Sequence, residues 1–210
     1  MLKPLRDAVL KGDQERAAEL TEQALSEGVA AEKIMNEALI AAMGTVGAEF
    51  EAEERNVPEM LISAEAMKGA MEILRPKLAE AGVKARGKVL IGTVEGDIHD
   101  IGKNLVLMMV EGAGFEVVDL GIEVPAEEFV EAVRKEKPDI LGMSALLTTT
   151  MVYMEDVIQA LKDAGLRDQV KVMLGGAPVT QAYADEIGAD GYAGDSTSAV
   201  ELVKRLLPQG

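Results

Sequence analysis

The chain has 210 residues, enough for one large domain or two small ones, and its 48% hydrophobic and 28% charged residues are ordinary for a soluble globular protein. A net charge of −16 argues against a nucleic-acid partner, and the absence of cysteine excludes disulfides, thiolate metal sites and cysteine nucleophiles. No apolar run approaches membrane-spanning length and the start, Met1-Leu2-Lys3-Pro4-Leu5-Arg6-Asp7, has no signal-peptide core, so the expectation is a cytoplasmic protein with no membrane contact.

Residues 1–85 read as helix after helix. Leu2, Leu5, Ala8 and Val9 make a short amphipathic helix that stops near Gly12. Asp13 can cap a second, with Ala17, Leu20, Ala24 and Leu25, which ends at Gly28. A third runs from about Ala31 through Ile34, Met35, Ala38, Leu39, Ala42, Met43 and Val46 towards Phe50. Asn56 and Pro58 suit the start of a fourth, carrying Met60, Leu61, Ala64, Met67, Met71 and Leu74, which Pro76 is expected to kink or end. These four antiparallel helices predict a small bundle, and the twelve Met of the whole chain read as flexible core filling.

The charged, glycine-flanked stretch Gly82 to Lys88 reads as a linker, and after it the pattern changes. Residues 88–210 alternate strand and helix. The strands are expected at Val89–Thr93, Phe115–Leu120, Ile140–Met143, Val170–Leu174 and Gly191–Ala193. The helices are expected near 101–111, 125–133, 152–161, 179–187 and 196–207. The fold class is therefore α/β: a helical-bundle domain, then a five-stranded parallel, doubly wound sheet of the flavodoxin or Rossmann kind. Such sheets bind ligands beyond the carboxyl ends of their strands. That places function on Glu95 to Asn104, Ser144 to Thr150, Gly175 to Pro178 and Gly194 to Ser196, where glycines and hydroxyls cluster.

The first of these segments contains the only histidine, His99, between Asp97 and Asp100. Gly102-Lys103 is followed by Asn104 and no glycine stands five residues before Gly102, so this is no phosphate loop; a G-x-G-x-x-G turn is also missing. A lone histidine is more often a surface or hydrogen-bonded side chain than a ligand. Zinc wants several His or Cys ligands. Acyl chemistry with Ser144 is conceivable, but Ser144 has no G-x-S-x-G elbow. A cofactor that brings most of its metal's ligands needs only one more. Haem and corrinoids both do so, and 3% aromatics are few for haem. Asp97 can hydrogen-bond the other ring nitrogen and orient the imidazole.

At these residues the chain resembles a known family. Asp97-Ile98-His99-Asp100-Ile101-Gly102 matches the D-x-H-x-x-G signature of cobalamin-binding domains. Ser144-Ala145-Leu146 matches the S-x-L that follows, after 41 intervening residues, and Gly175-Gly176 the later G-G, after 28 more. Val46 to Glu51, Pro58 to Leu61 and Ala64 to Met67 look like the helical cap that precedes this domain in methionine synthase and in corrinoid proteins of methanogens and acetogens. Arg55-Asn56 stand where that cap usually has an aromatic.

The resemblance implies a cobalamin or related corrinoid, bound base-off and histidine-on. His99 would be the lower cobalt ligand, with Asp97 contacting it and Ser144 extending the relay. Gly96, Ile98, Asp100, Ile101 and Gly102 would surround the ligand, and Leu146, Thr148, Gly175 and Gly176 would line the pocket for its nucleotide tail. It also implies a cap of residues 1–85 over the upper face, with the 82–88 linker as hinge, and a cobalamin-binding domain at 88–210. The function implied is methyl carriage. One substrate-specific methyltransferase loads a methyl group, a second passes it to a thiol or tetrahydrofolate, and a corrinoid-reactivating reductase serves the cycle. The chain would thus be a subunit of a methyltransferase system rather than a complete enzyme. The alternatives in the same family are the cobalamin subunit of an adenosylcobalamin mutase and a corrinoid-dependent sensor.

Overall fold

The structure is a computed structural model and describes residues 2–207. It divides into two compact units, residues 1–85 with 111–114, and residues 86–110 with 115–210.

The first unit is helical. α1 (Leu2–Leu10) buries Leu5, Ala8 and Val9. α2 (Gln14–Ser26) starts where Asp13 accepts from the Arg16 N–H, and packs on α1. The third helix has an unforeseen interruption. α3 (Ala31–Ile34) passes into a π-helical turn over Met35–Ile40 before α4 (Ala41–Glu51) resumes. Ile34, Ala38, Leu39, Ala42, Met43 and Val46 are all buried along it. A wider turn rotates the apolar stripe without breaking the backbone ladder, which periodicity alone does not reveal. α5 (Val57–Glu80) opens with a complete capping box between Asn56 and Glu59.

Two expectations about α5 are corrected. Of the two outcomes expected at Pro76, ending the helix is not what occurs: α5 runs on to Glu80 with Pro76 inside it. The buried face is Met60, Ser63, Met67, Ala70 and Leu74, whereas Leu61, Ala64 and Met71 are only partly buried. Ser63 belongs inside because it has partners there. Its hydroxyl donates to the Leu10 carbonyl at 3.1 Å and accepts from Arg55 Nη1 at 3.2 Å. Arg55 Nη1 also donates to the Leu10 carbonyl, and Nε and Nη2 hold Glu49 Oε2 at 2.8 and 2.7 Å. Arg55 thus holds α1, α4 and α5 together, while Asn56 caps α5.

The second unit is the α/β domain. β1 (Lys88–Thr93), β2 (Glu116–Asp119), β3 (Ile140–Ser144), β4 (Lys171–Gly175) and β5 (Gly191–Ala193) form one parallel sheet in the order β2-β1-β3-β4-β5. Register places Leu90 beside Leu141 and Leu141 beside Val172, so one face is a continuous aliphatic row. That face packs with α7 (Ala126–Glu136) through Phe129, Val130 and Val133, and with α8 (Val152–Asp163) through Met154, Val157, Ile158 and Leu161. Phe129 is fully buried, contributing about 1.5–3 kcal/mol. Gly92 makes room for it, because a Cβ there would stand 2.9 Å from the Phe129 ring. α6 (Ile101–Gly112), α9 (Gln181–Ile187) and α10 (Ser196–Leu206) complete the unit. The order of strands reverses between β1 and β3, so the crevice for a ligand lies at their carboxyl ends.

Candidate functional site

β1 ends at Thr93, and the chain turns through 94–100 before α6 begins at Ile101. Thr93 is fully buried and its hydroxyl donates to the His99 carbonyl at 3.1 Å. Asp97 is also fully buried. Its Oδ1 lies 2.7 Å from His99 Nδ1 and accepts from the His99 backbone N–H at 3.0 Å. Its Oδ2 accepts from the Leu146 N–H at 2.8 Å, the Leu147 N–H at 3.3 Å and the Thr150 hydroxyl at 2.7 Å. Burial pushes this carboxyl up, but the bonds from Thr150, from the Leu146 and His99 amides and from the His99 ring outweigh it. They hold Asp97 well below the usual carboxylate range.

Asp97 is therefore a buried anion fed by donors from two loops, and it fixes the imidazole. With Nδ1 donating to a carboxylate, the ring presents the lone pair of Nε2 outward. The His99 side chain is 45% exposed, so that nitrogen is reachable. Around it stand apolar side chains that the fold leaves uncovered. Ile98 is 62% and Ile101 76% exposed, and Leu146, Leu147, Ile122 and Val152 are exposed as well. Leu146 and Leu147 are the residues whose amides hold Asp97, and the Glu123 N–H, next to Ile122, donates to the Asp97 carbonyl at 3.1 Å. Glu123 does so with φ at 53°, in the left-handed region that few non-glycine residues enter. An apolar rim about a single imidazole suits a broad, flat ligand with a metal at its centre.

The other expected residues lie at the same edge. Ser144 is the last residue of β3, in register with Thr93 and Gly175. Gly176 has φ of 123°, and a Cβ there would fall 1.8 Å from the Ala145 carbonyl oxygen, so the β4 loop crosses the end of β3 at backbone contact. Gly96 also has positive φ, at 73°, while Gly102 sits in the first turn of α6 and a Cβ on it would meet open space. Leu146 and Thr148 are exposed on the loop after β3, and Asp100 accepts from Asn104 Nδ2 at 3.1 Å.

One expected contact is not made. Among the described residues the Ser144 hydroxyl has no hydrogen bond, and Thr150 is the hydroxyl on Asp97. The chain has to leave the strand at Ser144 and turn before its amides and a hydroxyl face the carboxylate, which puts residue 150 within reach. Thr150 is 4% exposed, and its position in a tract of three threonines was the available signal. Thr93 and Lys103 were not singled out, the first because it reads as ordinary strand and the second because its partner, Asp119, lies 16 residues on, in β2.

No group of three or more His, Asp or Glu that could hold a metal ion occurs among the described residues. The donor set fits a metal that arrives with its own equatorial ligands: one outward imidazole nitrogen, an apolar rim and a glycine cradle.

Fold and site together define a protein of the open α/β sheet class, with a single exposed imidazole at the switch point of strand order. The B12 binding domain family matches residues 87–204, and a second family of the same description matches residues 1–75. Trimethylamine corrinoid protein 1 of Methanosarcina acetivorans is 46% identical over 204 residues, covering 96% of this chain and 94% of that one. Among solved structures, the methanol:cobalamin methyltransferase complex MtaBC of Methanosarcina barkeri matches with a TM-score of 0.90 and 31% identity, over 100% of this chain and 80% of the other. A cobalamin-binding protein of Desulfitobacterium hafniense matches at 0.79 and 33%, over 98% of each. The chain belongs to the B12-binding corrinoid proteins. No described helix is long and apolar enough to cross a membrane.

Proposed function

We propose that this chain is the methyl-carrying corrinoid subunit of a cytoplasmic methyltransferase system. It would accept a methyl group from a substrate-specific methyltransferase and deliver it to a second methyltransferase acting on a thiol or tetrahydrofolate, with a reductase restoring inactive cofactor. The observation that carries this is the outward-facing His99 imidazole, anchored through Nδ1 to the buried Asp97 inside a rim of exposed apolar side chains. Bound there, a corrinoid supplies a cobalt centre that takes a methyl group from one donor and gives it up to another.

The residues of the chain do the rest. His99 would offer Nε2 as lower ligand, base-off and histidine-on, and Asp97, by accepting the ring proton's hydrogen bond at Nδ1, would orient the ring so that the Nε2 lone pair is the one that faces the metal. Thr150 and the Leu146 and Leu147 amides keep Asp97 anionic. Ile98, Ile101 and Leu146 would pack against a flat ring held there and keep water from the ligating nitrogen. Gly175, Ser144 and Thr148 would line the pocket for a nucleotide tail, and Gly176 would serve it by letting the β4 loop pass at backbone contact with Ala145. The names of relatives near 45% identity favour a methylamine as methyl donor.

Incubation with hydroxocobalamin followed by a visible spectrum tests the proposal. Binding with an imidazole-ligated spectrum is expected, and His99→Ala should bind with a spectrum lacking that ligand. No binding, or an unchanged spectrum in His99→Ala, contradicts it.

A further inference from the structure

Lys103 is, with Asp97, a charged side chain that the fold hides almost completely: 1% of it is exposed. It sits in the first turn of α6, four residues after His99. Its Nζ donates to Asp119 Oδ1 at 2.6 Å and to Asn104 Oδ1 at 2.8 Å. Asp119, at the end of β2, also accepts from the Gly121 N–H at 2.8 Å. Asn104 Nδ2 in turn donates to Asp100 Oδ2 at 3.1 Å. A continuous path of polar contacts therefore runs from the carboxyl end of β2, through Lys103 and Asn104, to the residue that follows His99.

A buried ammonium is costly unless paired, and an apolar side chain could fill the same space without that cost. What the ammonium adds is geometry. The loop it reaches, after β2, also holds the metal-site loop from its other side, because the Glu123 N–H donates to the Asp97 carbonyl and the Gly121 carbonyl accepts from the Thr93 N–H. Thr93 in turn holds the His99 carbonyl. With Lys103 in place the two loops are braced at both ends.

We propose that Lys103, with Asp119, is a positioning residue for His99: the ion pair, buried at its Lys103 end, fixes where Asp100 stands, and so where the imidazole points. The inference rests on the corrinoid reading above. Lys103 is too deeply buried to reach a ligand itself and acts through the loop.

Two variants of the full chain, Lys103→Met and Asp119→Asn, test it against the wild type. In amide hydrogen exchange without cofactor, residues 95–104 should exchange roughly tenfold faster in both variants, with β3 and β4 unchanged. In hydroxocobalamin titrations the variants should bind about tenfold more weakly, and their spectra should show less imidazole-bound cofactor. Wild-type exchange and affinity in both variants overturn the proposal. Faster exchange with wild-type affinity and spectrum overturns it too, leaving Lys103 a strut of the fold alone. Should Lys103→Met fail to fold, Asp119→Asn decides by the same criteria, since Asp119 is 45% exposed and its shape is conserved. A wild-type chain that binds no hydroxocobalamin sinks the corrinoid reading instead, a result distinct from variants that match a binding wild type.

Discussion

Asp97→Asn is the substitution on which the site geometry makes its sharpest demand. The carboxylate accepts five hydrogen bonds from one fully buried position, two on Oδ1 and three on Oδ2. An amide offers one acceptor oxygen and one NH2. If the NH2 replaces Oδ2, the Leu146 and Leu147 N–H groups face a donor; if it replaces Oδ1, the His99 N–H does. Either way one or two buried backbone donors lose their acceptor, at about 1–3 kcal/mol each, and charge-assisted bonds weaken as well. The expected loss of stability is about 2–4 kcal/mol, read as a shift in the urea midpoint of the cofactor-free protein. Because Asp97 is held below its ordinary range, its contribution is complete above that range and is lost only as pH falls through the depressed value. The penalty should therefore be constant from about pH 5 to 8. A loss below about 0.5 kcal/mol, the scale of an ordinary surface substitution, would refute the reasoning.

Gly176→Ala should lower stability by about 2 kcal/mol or more and weaken corrinoid binding, since its Cβ would strike the Ala145 carbonyl from a positive φ. Gly175→Ala, whose Cβ would stand 3.5 Å from the Ala193 carbonyl, should fold normally, and calorimetry of the pair checks the contrast. Arg55→Met should cost about 1–3 kcal/mol by releasing Glu49, the Leu10 carbonyl at the end of α1 and the Ser63 hydroxyl of α5, measured by thermal unfolding of the full chain; an unaltered midpoint would show that those bonds contribute nothing net.

Much of the fold was legible because each signal was local. Aliphatic runs such as Val89 to Thr93 are strands in a buried parallel sheet, and Asn56 with Glu59 writes a helix start within four residues. His99 and Asp97 were legible for the same reason, being two residues apart with a contact the loop itself closes. What sequence could not rank was any choice settled by packing. The π-helical turn leaves the apolar pattern of Ile34 to Val46 intact, so no break shows. Pro76 looks like a terminator, yet its position only a few residues from the helix end makes it tolerable. Ser144 and Thr150 are both hydroxyls after β3, and only the path of the turn decides which meets Asp97. Lys103 read as a failed phosphate loop, because Asp119, its partner, is 16 residues away on another strand.

The central claim is that His99 Nε2 binds the metal of a corrinoid. The single histidine allows this to be measured without ambiguity, because ¹⁵N-histidine labels one imidazole only. Electron paramagnetic resonance of the cob(II)alamin-loaded protein should show cobalt lines split by one nitrogen, changing from triplets to doublets when the protein carries ¹⁵N-histidine. Triplets that persist in the labelled protein would mean that the axial nitrogen comes from the cofactor's own base, and would contradict the account.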